Sequence, residues 1–373
     1  EYDYLCATTL VYFFLDLLII SFNNKINIRE YLIYVLLATV CDVMPLRKLN
    51  RLISKIALKE FDMDLNLAIK ELYNLNNKKN KININDLGFL IGPILNAGGR
   101  LGKSNYATEL LSSDNPKIIN DKSIELIMLN EKRKKIEKII LDDIDFSEIE
   151  KDNNEVIIYF NPNINEGLIG IIAARLKDYF NKPTIVITTS GDVLKGSGRS
   201  IYGYNIGRVI KSSLDNKIIL NGGGHNMAAG FSLKKDNLNI FKDFILKNFF
   251  ESGISTNYTF NYDSEISSSA FNKDFYEDIK KIQPFGTGNP APTFLFKDLK
   301  IIKTTILQNK HISSIFKSKI GFSINSISFN SVNSKIGEYL LNYKKDLNVI
   351  GQINENFWNN KNTLQLTIRD LIL

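Results

Sequence analysis

The sequence predicts an α/β chain that ends in a small β-barrel, and three observations carry that prediction. Strand-like and helical runs alternate between Glu155 and Thr188, the order of a mixed α/β layer. Before them, Lys117 to Ile144 repeats apolar residues at helical intervals among Lys, Arg and Glu, as one long helix does. After them, from Thr293 to Ile368, come short β-rich runs with turn signals and no long helix, which suits a closed barrel such as the OB-fold. At 373 residues, 44% hydrophobic and 23% charged, the chain has core enough for two or three domains.

Taken in order, the first apolar run is Leu5 to Ile20, interrupted by Asp16 with no basic stretch ahead of it. It fits neither a signal peptide nor a spanning helix; a buried helix of a domain whose beginning lies outside these residues is expected. The run from Tyr31 to Cys41 ends in Asp42-Val-Met-Pro-Leu46. A carboxylate there suits either a ligand for a hard cation at the end of a buried element or a cap for the following helix. Residues 74–85, rich in Lys and Asn, read as a surface loop.

Leu90 to Gly102 sets Asn96 and Arg100 among Gly and Pro, a loop suited to aiming a guanidinium at phosphate. Asn115-Pro116 opens the long helix, whose basic cluster Lys132–Lys135 reads as a solvated face. Glu155–Phe160 and Pro183–Thr188 read as strands flanking a helix, Leu168–Leu176. Gly196-Ser197-Gly198-Arg199-Ser200 then places two hydroxyls and a guanidinium on mobile backbone, a plausible phosphate cradle. In Asn221-Gly-Gly-Gly-His-Asn-Met-Ala-Ala-Gly230, strand-like Lys217–Leu220 leads into a glycine turn and small residues suited to starting a helix. Such a turn is an anion site, with Gly223, Gly224 and His225 at its centre. A tight turn with a buried His is the alternative.

The last third holds a short helix, Ala270–Ile282, a rigid linker-like turn, Gln283–Pro292, and the barrel runs. Phe357 and Trp358 could stack on bases, as aromatic side chains of OB-folds do, or sit in the core. The net charge of +7 permits a polyanion partner, though Lys, Asn and Ile are frequent throughout. Two distant cysteines give neither a disulfide framework nor a zinc pattern. They fit buried thiols in a reducing cytoplasm. Two histidines, His225 and His311, exclude catalysis that rests on several imidazoles within the chain.

The ordered set ATVCDVMPL, GPILNAGGRLG, NEGLIGIIAARL, KGSGRS, GGGHNMAAG, QPFGTGNPAPTF and QLTIRDL resembles the RecJ family, single-strand-specific exonucleases of the DHH phosphoesterase superfamily. The likeness runs from about residue 5 to the carboxyl end. It implies the C-terminal part of a DHH domain (1–114), a connecting helix (115–150), a DHH-associated domain (151–255) and an OB-fold (256–373). It also implies stepwise 5′→3′ hydrolysis of single-stranded DNA in repair and recombination, with two Mn²⁺ or Mg²⁺ ions. By the same resemblance Asp42 is a metal ligand and catalytic residue. Asn96, Arg100, Ser197, Arg199, Ser200, Gly223, Gly224 and His225 contact DNA phosphate.

This sequence departs from the family in two ways. No D-x-D-x-G and no Asp-His-His triplet occur, and Ile164-Asn165 stand where the family carries Trp-His. One carboxylate cannot hold two ions, so this polypeptide by itself is expected not to hydrolyse DNA. Either the first metal motifs lie outside these residues, or the chain is a non-catalytic single-strand-binding relative that serves as a partner protein. A nanoRNase or cyclic-dinucleotide phosphodiesterase is a weaker third reading, because those enzymes generally lack the OB-fold. The expected setting is a cytoplasmic monomer on single-stranded DNA, served by a helicase and a single-strand-binding protein, with no membrane.

Overall fold

A computed structural model describes residues 2–152, 154–254, 260–332, 334–342, 345–358 and 361–372, without the side chains of Phe357, Trp358 and Lys361. The expected stacking by Phe357 and Trp358 therefore falls outside the described residues. The chain opens with helices α1 (Ala7–Ser21), α2 (Leu32–Cys41), α3 (Lys48–Glu60), α4 (Leu67–Leu75) and the single turn α5 (Ile84–Asp86). Then come α6 (Gly92–Arg100), α7 (Tyr106–Ser112), α8 (Pro116–Asp143) and α9 (Phe146–Lys151). The α/β layer is β1 (Ile157–Phe160), α10 (Ile169–Phe180), β2 (Thr184–Ser190), β3 (Val193–Arg199), α11 (Ile206–Asp215), β4 (Asn221–His225), β5 (Ala228–Lys234) and α12 (Leu238–Glu251). The final third is β6 (Ser264–Glu265), α13 (Lys273–Lys281), β7 (Phe294–Leu307), β8 (His311–Ser318), β9 (Ser323–Ser328), α14 (Lys335–Asn342), β10 (Leu347–Trp358) and β11 (Lys361–Ile372).

These elements fall into two compact units: Glu1–Phe61, Ile82–Gly88 and Thr259–Leu373 in one, Asp62–Lys81 and Phe89–Tyr258 in the other. In the second unit the sheet order is β1-β2-β3-β5-β4, with β1 and β2 parallel and the remaining pairs antiparallel. The connection from β1 to β2 is α10, the crossover that a parallel pair requires. On β2, Ile185 and Ile187 join a core with α11 and α12, whereas Val186 packs with Ile172 and Leu176 of α10. Both faces of that strand are covered, which is why it reads as a continuous apolar run. The long α8 starts where the Asn115 side chain accepts from Lys117 N (2.9 Å), an N-cap followed by Pro at the first turn.

Three glycine-bearing stretches differ from their sequence expectation. GPILNAGG is not a loop but α6, and a Cβ on Gly98 would stand 2.4 Å from Lys103 O and 3.3 Å from Leu126 of α8. KGSGRS is not a mobile cradle but β3, paired on both sides. Its glycines leave room for neighbours: a Cβ on Gly196 would stand 2.1 Å from the Phe231 ring, and one on Gly198 2.4 Å from Ile206. GGGH is not a turn before a helix but the edge strand β4, joined by a two-residue turn to another strand, β5. Lys217–Leu220, expected as a strand, is a turn followed by a bend.

In the first unit, β7 pairs β8, β8 pairs β9, β9 pairs β11, β11 pairs β10 and β10 returns to β7, closing a five-stranded barrel. Strand β7 is continuous from Phe294 to Leu307 across Asp298, which holds a φ of 55°. Its first half pairs β10 and its second half β8, the sharing that closure demands. Phe296, Phe316, Leu347 and Leu366 fill the barrel, with Tyr276 and Ile279 of α13 packed against them. The Gly286–Asn289 turn, expected as a linker, docks on the loop after α2: Leu46 N donates to Thr287 O (2.6 Å). Of α1 only Thr9 is buried, while Leu10, Phe14, Leu17 and Ile20 are exposed, contrary to the buried helix expected. No helix among the described residues is long and apolar enough to cross a membrane.

Candidate phosphate-binding site

Directly opposed residues of antiparallel strands point to the same face. Three rows therefore cross β3, β5 and β4 on one face: Lys195–Ser232–Asn221, Ser197–Gly230–Gly223 and Arg199–Ala228–His225. Helix α10 covers this face over β2 and β3. Over β5 and β4 the floor is Gly230, Gly223 and Ala228, with Gly223 and Gly230 exposed. A Cβ on Gly223 would meet nothing within 4 Å. The result is a flat patch of backbone edged by Ser197 and Arg199 on one side and exposed His225 on the other. Arg199 and His225 are two strand spacings apart, about 10 Å.

Arg199 Nη1 donates to Ser197 Oγ (3.1 Å) and Gly198 O (2.8 Å). Its Nη2 lies 2.9 Å from the place a Cβ on Gly170 would take, over the first turn of α10 and the positive end of that helix. Arg100, the last residue of α6, donates from Nη1 to Gly167 O (3.1 Å). Gly167 must be glycine here, since a Cβ would stand 2.3 Å from Arg100 O. Burial pushes the Arg199 guanidinium below the usual arginine range, and the neighbouring charge of Arg100 adds to it. Arg100 is lowered by burial and by Arg133, with Glu137 opposing. Neither Arg100 nor Arg199 forms an ion pair among the described residues.

Around this pair, Asn96 is exposed one helical turn before Arg100. Asn165 Oδ1 accepts from Gly167 N (2.8 Å) and shapes the approach to α10; the preceding Ile164 is core. Gly224 admits no side chain, because a Cβ would meet Ala228 O at 2.4 Å. The turn after His225 is pinned to the head of α11 by Asn205 Nδ2 donating to Asn226 Oδ1 (2.7 Å). Ser200 does not join the patch: it is 1% exposed, and its hydroxyl donates to Tyr204 O (2.6 Å) inside the fold. The structure thus brings Arg100, Ser197 and Arg199 together and puts Gly223, Gly224 and His225 on the same sheet.

Asp42 belongs to the other unit. It is exposed at the carboxyl end of helix α2, and it does not cap α3, whose N-cap is Arg47. A carboxylate at the negative end of a helix dipole is disfavoured by about 0.3–1 kcal/mol, and Val43 beside it holds a left-handed φ of 56°. The described residues gather no group of three His, Cys, Asp or Glu able to hold a metal ion. They do not fit a two-ion centre.

One network was not foreseen. Arg133, inside a cluster read as a solvated face, is buried, and its Nη1 donates to Glu137 Oε2 (2.8 Å). The other carboxylate oxygen accepts from Arg175 Nε (2.7 Å). The spacing of Arg133 and Glu137, four apart on a helix, was the available signal.

Two domain families match the chain: the DHHA1 domain over residues 153–250 and the RecJ OB domain over 262–370. The single-stranded-DNA-specific exonuclease RecJ of Haemophilus influenzae is 30% identical over 364 residues, covering 90% of this chain and 62% of that protein. RecJ of Bacillus subtilis is 27% identical, covering 90% of this chain and 43% of that protein. The chain therefore spans roughly half of these relatives' length. The crystal structure of Thermus thermophilus RecJ in complex with Mn²⁺ superimposes with a TM-score of 0.79 at 21% identity, covering 95% of this chain and 51% of that one. A second structure of the same protein, in complex with Mg²⁺, gives 0.77 at 22%, covering 95% and 54%.

Proposed function

Because this chain belongs to the RecJ family, we propose that it is the strand-holding portion of a 5′→3′ single-stranded-DNA exonuclease of repair and recombination. The sugar-phosphate backbone lies on the open glycine face of the sheet, gripped by Arg100, Arg199 and Ser197. Gly223, Gly224 and His225 line the rest of its path and meet the 5′ end, and the barrel takes strand further along. The observation that carries this reading is the arginine pair. Two half-buried guanidiniums, Arg199 depressed by Arg100 and Arg100 by Arg133, neither ion-paired, are unfavourable until an anion joins them.

Exposed backbone beside them lets a polyanion approach without meeting side chains. Nothing in the patch reads base edges, so binding is indifferent to sequence. Hydrolysis in this reading uses two Mn²⁺ or Mg²⁺ ions whose ligands extend beyond Asp42, so this polypeptide alone binds the strand without cutting it. The test is fluorescence anisotropy with a 5′-phosphorylated oligodeoxythymidine over a salt series. Arg100→Ala and Arg199→Ala should each weaken binding and reduce the slope of log affinity on log salt by about 0.7. Slopes unchanged in both variants would sink the reading.

A further inference from the structure

We propose that Glu137 is the internal counter-ion of the arginine cluster and sets how firmly that cluster holds phosphate. The proposal rests on the reading of Arg100 and Arg199 as phosphate ligands and assigns a role to a residue that does not touch the strand.

On α8, Asn130, Arg133 and Glu137 recur at three and four residues on the buried side of the helix. Asn130 Oδ1 accepts from Arg133 Nε (3.1 Å), and the Glu137 carboxylate divides its two oxygens between Arg133 and Arg175. The Glu137 side chain is 9% exposed, that of Arg175 56%. Arg100 sits on α6, which packs along α8, and feels both Arg133 and Glu137. Four guanidiniums thus stand with one carboxylate: Arg133 and Arg175 are bonded to it, Arg100 lies within its field, and Arg199 lies within that of Arg100.

That ratio has two consequences. Without Glu137, Arg133 would be buried with no partner of opposite sign, a costly state for an empty site. With it, the cluster keeps a net positive charge but is weaker toward phosphate than four bare guanidiniums. A protein that must release one stretch of strand and take the next gains from a grip limited in this way. A purely structural carboxylate would hold Arg133 in place and have no such effect on anion affinity.

Glu137→Gln keeps shape and one hydrogen bond and removes the charge. In anion-free buffer it should melt below the parent. Its gain in melting temperature on adding inorganic phosphate should exceed the parent's, and it should bind the 5′-phosphorylated oligonucleotide about tenfold more tightly at low salt. Glu137→Asp keeps the charge and should return affinity to the parent value even where its melting temperature is lower. Should Glu137→Gln not fold, Arg175→Gln on the exposed side of the network should bind several-fold more weakly, because Glu137 is then less neutralised. A folded Glu137→Gln that binds no better than the parent, or an Arg175→Gln of unchanged affinity, overturns the proposal. If Arg100→Ala and Arg199→Ala leave binding intact in the parent, it is the phosphate reading that has failed.

Discussion

Gly167 and Gly170 stand three residues apart and lack a side chain for different reasons. The space beside Gly167 is taken by backbone, Arg100 O at 2.3 Å; the space beside Gly170 is taken by the far end of a flexible side chain, Arg199 Nη2 at 2.9 Å. Gly167→Ala must therefore move the α6 terminus and should destabilise by about 2 kcal/mol or more, read as a shifted urea midpoint. Gly170→Ala can be accommodated by swinging the guanidinium away, and alanine is the better helix former by about 1 kcal/mol. It should leave stability equal or improved while single-strand affinity falls several-fold. Unimpaired binding by Gly170→Ala would mean that the resting position of Arg199 does not matter for strand capture. Val43 is the reverse case, a β-branched residue held at φ 56° and 64% exposed. Strain of that kind costs about 1–3 kcal/mol, so Val43→Gly should be neutral or stabilising despite glycine's larger unfolded-state entropy. A clear loss of stability on urea titration would show that its side chain packs.

The β4–β5 hairpin has an open side and a filled side, and alanine substitution separates them. Gly223→Ala meets open space and should leave the melting temperature nearly unchanged; Gly224→Ala meets Ala228 O and the Ala229 Cα at 2.4 and 2.6 Å and should cost several degrees. Equal shifts would contradict the facing assigned to this strand. The same hairpin explains what could be read from the sequence and what could not. Elements that carry their own apolar period were legible: α8, α10, β1, β2, α13 and the barrel strands announce themselves by burial of alternating or helically spaced residues. The glycine stretches were misread as loops because their conformation is imposed from outside. Phe231 and Ile206 supply the bulk over β3 that its own residues omit, and α11 lies so close against β4 that a Cβ on Gly207 would stand 2.7 Å from Gly224 C. A strand whose side chains are furnished by its neighbours leaves no period to detect. At the site, the charged and glycine residues of the motifs were legible as types, but Ser200 turned inward and the Arg133–Glu137–Arg175 network lay hidden in an ordinary-looking charge run.

At the scale of the molecule, the proposed function gives each of the two compact units a hold on unpaired strand, the arginine-edged sheet in one and the barrel in the other. Linked sites on one chain raise affinity together only for a ligand that reaches both, and the gain is set by effective concentration instead of new contacts. A length series of 5′-phosphorylated oligodeoxythymidines separates the contributions. The shortest, about 4 nucleotides, should depend on the sheet alone and lose nearly all binding in an Arg100→Ala, Arg199→Ala double variant. Lengthening toward about 16 nucleotides, the upper range for one OB-fold, should raise affinity in the parent by about a hundredfold. The double variant should keep a weaker, length-dependent residue of binding from the barrel, with a smaller salt slope because fewer phosphates are neutralised. Affinity that stops growing once the sheet is filled would remove the barrel from strand binding and confine the grip to the second unit. A double variant that binds long strands as well as the parent would do the opposite, since the salt slope would then belong to the barrel and the arginine pair would need another anion.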